Sequence, residues 1–156
     1  MAVDEQRAQF PATLWTGALA AGQTIEQVWF SGCHGDVGGG TLLAGGVDAG
    51  TRLCDITMGW MLTKAQGLGL TFDPAVAAQY GTLPSEYALD AIRETWTPAD
   101  GPPHLRPIAP GSEVANSVAV RVQYALTYTP GNLTLQDGPL LGDGYSLVNV
   151  VNEGAV

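Results

Sequence analysis

Basic residues are scarce in this sequence. Six Lys and Arg stand against fifteen Asp and Glu, a formal net charge of −9. A field of that sign repels phosphate backbones and gains little at an anionic membrane surface, so no nucleic-acid partner is expected. Cysteine is scarce too. Cys33 and Cys54 show no metal-ligand spacing and read as two unpaired thiols in a reducing compartment. No apolar run approaches the roughly 20 residues that span a bilayer. Met1 to Phe10 is polar and charged, without the apolar segment of a signal peptide. The expectation is synthesis in the cytoplasm, with export open only to a route that reads no N-terminal signal.

What remains is core-forming material. The chain is 46% hydrophobic and 13% charged, the reverse of a disordered composition. Its 156 residues match one ordinary domain, able to bury roughly 70% of the unfolded surface.

Residues 1–24 begin polar and turn Ala/Gly-rich, a connecting segment. Ile25 to Phe30 is rich in β-branched and aromatic residues and is closed by Ser31-Gly32, so it reads as a strand. Its nearly continuous apolar end fits a parallel sheet covered on both faces. A glycine-dense loop, Gly32 to Gly50, follows. Leu53, Ile56, Trp60 and Met61 form one stripe at helical period and predict a helix over Leu53–Ala65. Pro74 suits the first turn of a second helix reaching Tyr80. Five prolines within 97–112 forbid regular structure and read as a surface excursion. Ser117–Leu126 regains apolar periodicity, and Tyr145–Val151 reads as a short strand.

The stretch Gln27-Val-Trp-Phe-Ser-Gly-Cys-His34-Gly-Asp36-Val-Gly-Gly-Gly40 carries the chemistry. Ligands of open α/β sheets bind beyond the carboxyl ends of the strands. A histidine delivered there can serve as base and then acid, since its unperturbed pKa lies near 6.5. The plainer alternative for His34 is a surface histidine without a role, and that is the reading preferred for His104 in the Pro-rich excursion. Asp36 has three readings: orienting His34, binding a cation, or bonding its own glycine loop as an Asx-type turn. Gly38, Gly39 and Gly40 would support that loop and let the backbone approach a substrate. A metal site from Cys33, His34 and Asp36 is disfavoured, because adjacent side chains diverge and no second ligand cluster exists. No metal and no cofactor is expected.

Four blocks carry a family resemblance. They are Val3-Asp-Glu-Gln-Arg7 with Phe10 and Leu14-Trp15; Glu26-Gln-Val-Trp-Phe30 leading to His34-Gly-Asp36-Val-Gly-Gly-Gly40; Leu53-Cys-Asp-Ile56 running to Trp60-Met61, Ala65, Gly69-Leu70 and Phe72-Asp73; and Ser117-Val118, Arg121, Tyr128, Pro130 and Asn132-Leu133. In that order they resemble the α/β-hydrolase family that includes phospholipase effectors of bacterial type VI secretion systems. The departures are Gly35 for a common serine, Thr41 for a common tyrosine, and Ala115-Asn116 for a His-Pro pair.

The resemblance implies a serine hydrolase of carboxylic esters, phospholipids among them, with triad order nucleophile, acid, histidine. His34 then takes the place of the catalytic histidine and Asp4 that of the acid, with Glu5 the weaker rival. A helix-capping carboxylate is the equal alternative for Asp4. No Gly-x-Ser-x-Gly occurs, since Gly144-Tyr-Ser146-Leu-Val148 matches only its first half. The expectation is therefore residues 1–156 as the C-terminal portion of one α/β-hydrolase-like domain: sheet strands with flanking helices and long irregular loops, inert alone. An ester substrate would bind once the serine-bearing half is supplied. The Ile25–Phe30 strand would keep an unpaired edge, inviting self-association. The competing function is a non-catalytic binding or assembly module derived from a hydrolase.

Overall fold

The apolar run ending at Phe30 needs cover on two faces, and it receives it. A computed structural model describes residues 1–40, 52–81, 83–136 and 140–152. Thr41 and the rest of the glycine-dense stretch to Gly50 lie outside the described residues. In chain order the elements are β1 (Val28–Trp29), α1 (His34–Gly38), α2 (Leu53–Gly67), α3 (Pro74–Gln79), β2 (Glu113–Ala115), α4 (Asn116–Tyr124), β3 (Leu135–Gln136), β4 (Leu140–Leu141) and β5 (Ser146–Val148). Single 3-10 turns occupy Ser85–Leu89 and Pro98–Asp100.

The sheet has the order β1-β2-β5 and is parallel throughout. Val28 pairs with Glu113 and Trp29 with Val114, while Val114 in turn pairs with Leu147. Val28, Trp29, Phe30, Val114 and Ala115 are all buried, so both faces of these strands are covered. This is the expected α/β class. Three strands are too few to identify a hydrolase sheet.

The expected unpaired edge of β1 is not found. On the side away from β2, Phe30 donates its N–H to the Met1 carbonyl (2.7 Å) and accepts from the Val3 N–H (2.9 Å). Ala2 and Phe30 thus form a parallel bridge. The next row of carbonyls is capped by side chains. Arg106 Nη1 donates to the Ala2 carbonyl at 2.8 Å, and Asn132 Nδ2 to that of Val3 at 2.9 Å. The strand itself is shorter than Ile25–Phe30, and Ile25 is exposed.

The long helix expected over Leu53–Ala65 forms as α2, with Leu53 and Ile56 buried. Trp60 meets the Phe30 ring edge-on at 5.6 Å. Gly59 lets the Tyr80 carbonyl approach, because a Cβ there would stand 2.7 Å from that oxygen. Met61, one residue and about 100° further round the helix, is exposed. The face that packs is therefore narrower than the stripe. Pro74 opens α3 as expected, with the Asp73 carboxylate accepting the Ala75 N–H at 2.8 Å. Within the Pro-rich stretch Arg106 and Ile108 are buried, so its second half runs into the core.

One expectation needs correction. The glycine-rich segment after Cys33 is a loop by composition, yet residues 34–38 form a helical turn. The Asp36 carboxylate accepts the Cys33 N–H at 2.9 Å and so caps the turn from within. Gly39 and Gly40, at φ 73° and 77°, end it.

Asn116, where the resemblance expects the second residue of a His-Pro pair, holds the segment that follows β5. Its Oδ1 accepts the N–H groups of Val150 and Val151, and its Nδ2 donates to the Val151 carbonyl. Asn116→Ala strands these backbone groups, and urea unfolding should show a loss of about 2–3 kcal/mol.

Candidate functional site

Parallel pairing decides what meets at the sheet end. Residues 1–3 and β1 run in one direction, so the residues that follow each of them leave the sheet side by side. Asp4 N–H donates to the Gly32 carbonyl at 3.0 Å. Beyond that bond, Glu5 and His34 come together.

His34 Nδ1 lies 2.6 Å from Glu5 Oε2. The Glu5 side chain is fully buried, whereas that of His34 is 47% exposed. Arg7 grips the same carboxylate through Nε to Oε1 (2.9 Å), Nη2 to Oε2 (3.0 Å) and its backbone N–H to Oε1 (3.0 Å). Arg7 Nη2 also stands 2.9 Å from His34 Nδ1. A guanidinium only donates, so Nδ1 either accepts from Arg7 or donates to Glu5. The shorter contact, to an ionised carboxylate, favours the Nδ1–H form. That tautomer leaves a lone pair on Nε2, for which no partner is found among the described residues.

Phe10 fixes the plane of the imidazole. Its ring stacks on His34 with centroids 4.8 Å apart and planes within 10°, and the Arg7 guanidinium lies 4.1 Å from its centroid. Burial by itself would raise the Glu5 pKa. The hydrogen bonds from Arg7 and His34 outweigh it and hold the carboxyl far below the usual carboxylate range.

Asp4 is placed elsewhere. Its Oδ2 accepts the Gly32 N–H at 2.6 Å, and both carboxylate oxygens lie 3.0 Å from the Tyr128 hydroxyl. Burial raises the Asp4 pKa against those bonds, and burial beside Asp4 drives the Tyr128 phenol far upward. The structure brings His34 together with Glu5, and Asp4 with Tyr128. Asp36 is fully buried and accepts the N–H groups of Cys33 and Arg93. Gly38 closes α1, with Gly39 and Gly40 beyond it. His104 is exposed and its N–H meets the Gln6 carbonyl.

Two participants carried a sequence signal without a role. Arg7 and Phe10 stand in the same block as Glu5, but nothing in that block shows which way they face. Tyr128 and Asn132 lie more than a hundred residues from the carboxylate segment they support, and no local pattern could link them.

Among the described residues the neighbouring chemistry is limited. The Cys33 thiol is buried and its pKa is pushed up by that burial, which disfavours a thiolate nucleophile. No three His, Cys, Asp or Glu side chains of the described residues could hold a metal ion together. No described helix is long and apolar enough to cross a membrane. A cleft of about 260 Å³ opens beside Asp4, Arg93, Trp96 and Tyr128. A larger one, about 490 Å³, lies between α2 and the residues after β5, away from His34.

Residues 1–64 match the family model described as "T6SS, Phospholipase effector Tle1-like, catalytic domain". That stretch holds both partners of the Glu5–His34 pair, together with Arg7 and Phe10. No curated protein and no solved structure matches the chain.

Proposed function

We propose, with the Tle1-like catalytic-domain match over residues 1–64 as premise, that this chain supplies the proton-transfer half of a serine ester hydrolase. One observation carries the reading: the buried Glu5 carboxylate 2.6 Å from Nδ1 of a half-exposed imidazole at the carboxyl end of parallel segments. In the proposal Nε2 takes the proton of a serine hydroxyl as its oxygen attacks the ester carbonyl. Glu5 stabilises the imidazolium so formed and keeps its tautomer. His34 then returns the proton to the departing alkoxide, and a water molecule repeats the sequence to release the acid.

Glu5 takes the orienting role in this reading, ahead of Asp4, because of where the two carboxylates point. Arg7 keeps Glu5 ionised and Phe10 limits rotation of the ring. The sequence contains no Gly-x-Ser-x-Gly. The proposal therefore has the serine and its oxyanion hole supplied from outside these residues, and the chain silent without them. The family match favours a phospholipid ester as substrate.

The test is reconstitution. The chain is combined with the serine-bearing segment of a Tle1-like catalytic domain and assayed on phospholipid and short-chain esters. Cleavage should appear only in the combination and vanish with His34→Ala. Cleavage that survives His34→Ala removes the reading. The missing serine element also favours a second function, a binding module, which predicts a stable complex that never turns over.

A further inference from the structure

Gly32 is held on both of its backbone groups by one residue. Asp4 N–H donates to the Gly32 carbonyl at 3.0 Å, and Asp4 Oδ2 accepts the Gly32 N–H at 2.6 Å. Gly32 stands two residues before His34, at φ 107°, where a Cβ would lie 2.5 Å from Asp36 Cβ. Glycine reaches that φ freely where other residues do not, so the turn depends on its hydrogen-bond partners to select one conformation. The restraint reaches across the fold. Tyr128 donates its hydroxyl to the Asp4 carboxylate, and its ring has the Arg121 guanidinium 5.3 Å from the centroid. Arg121 is buried and donates to the Asp90 carbonyl from both terminal nitrogens.

We infer that Asp4, with Tyr128 behind it, is a positioning residue: it clamps Gly32 so that the imidazole of His34 arrives with Nδ1 on Glu5. The inference rests on the Glu5–His34 pair proposed above and deepens it. Asp4 contributes acceptor geometry to this task and does not touch the imidazole. Adjacent carboxylates thereby divide the work. Glu5 sets the ring's tautomer, and Asp4 sets where the ring stands.

The readout is the imidazole tautomer, followed by ¹⁵N NMR on the chain itself. It has two histidines, so His34→Ala assigns both signals and exposed His104 serves as internal reference. Wild type should favour Nδ1–H at His34 by about tenfold, the bias that one charge-assisted hydrogen bond sustains. Asp4→Ala should collapse that ratio to the one seen at His104, and Tyr128→Phe should lower it part of the way. Asp4→Asn should keep it, because the amide oxygen still accepts the Gly32 N–H. If Asp4→Ala does not fold, Tyr128→Phe decides.

A folded Asp4→Ala or Tyr128→Phe protein with lower stability but the wild-type ratio overturns the clamp, since a purely structural role gives that result. Collapse in Asp4→Asn overturns it too, by showing that charge rather than acceptor geometry acts. Glu5→Gln separates this inference from its premise. If Glu5→Gln leaves the ratio unchanged, the Glu5–His34 pair is wrong. If it abolishes the bias while Asp4→Ala does not, only the clamp fails.

Discussion

Replacing Glu5 by glutamine should lower the turnover of the reconstituted hydrolase on the order of 10³-fold or more, with little change in substrate affinity. The magnitude follows from what an amide does to the tautomer. A glutamine can turn an N–H toward His34 Nδ1, which then becomes the acceptor, and the proton moves to Nε2 where the lone pair is needed. Steady-state kinetics of the two enzymes check it, and a loss below about tenfold would remove Glu5 from the mechanism.

The same substitution has a pH signature in stability. The folded-state pKa of Glu5 lies below its ordinary value of 4.5. A carboxyl of that kind contributes stability that is fully present above the ordinary value and is lost as pH falls through the folded one. The stability difference between wild type and Glu5→Gln should therefore be largest near neutral pH and shrink on acidification below about pH 4.5. Asp4 acts with the opposite sign. Its pKa is raised, so keeping it ionised costs stability at neutral pH, and that cost is relieved in acid. Urea titrations of both proteins across this range give the comparison. A constant difference throughout would mean that Glu5 is not the low-pKa group.

Gly32→Ala should be the most damaging single-methyl change in the site, at about 3 kcal/mol. Two effects combine. A residue with a Cβ is strained at φ 107°, by roughly 1–3 kcal/mol. The new carbon would also lie 2.5 Å from Asp36 Cβ, a separation that real side chains do not adopt. Asp36 cannot move aside cheaply, since its carboxylate caps the turn at Cys33 and holds the Arg93 N–H. The melting temperature should fall by roughly 6–12 °C for a domain of this size. A drop within about 0.5 kcal/mol of wild type, as for an ordinary surface change, would show that the turn is not constrained as described.

Much of the scaffold was legible because its signals are local. The stripe from Leu53 to Trp60 specifies α2, Pro74 specifies the start of α3, and the apolar end of β1 specifies burial on two faces. The turn at α1 was not legible, since its five residues include Gly35 and Gly38 and composition argues for a loop. What makes it helical is the Asp36 carboxylate folding back on Cys33, a geometry that spacing alone does not distinguish from an Asx turn. The closed edge of β1 was hidden for a different reason. It is covered by Met1–Val3 and by Arg106 and Asn132, which are distant in sequence.

The division is sharpest at the two adjacent carboxylates. The amino-acid order by itself determined that a histidine follows a buried strand, that an Asp-Glu pair stands ahead of it, and that the block around each resembles a hydrolase. It put Asp4 ahead of Glu5 for the acid's place, although successive residues leaving an extended segment point to opposite sides and local sequence does not show which of them faces His34. Which carboxylate lies against His34 is set by the parallel register of Met1–Val3 on β1, while Tyr128, from the far end of the chain, bonds Asp4. Such contacts exist only once the sheet has closed.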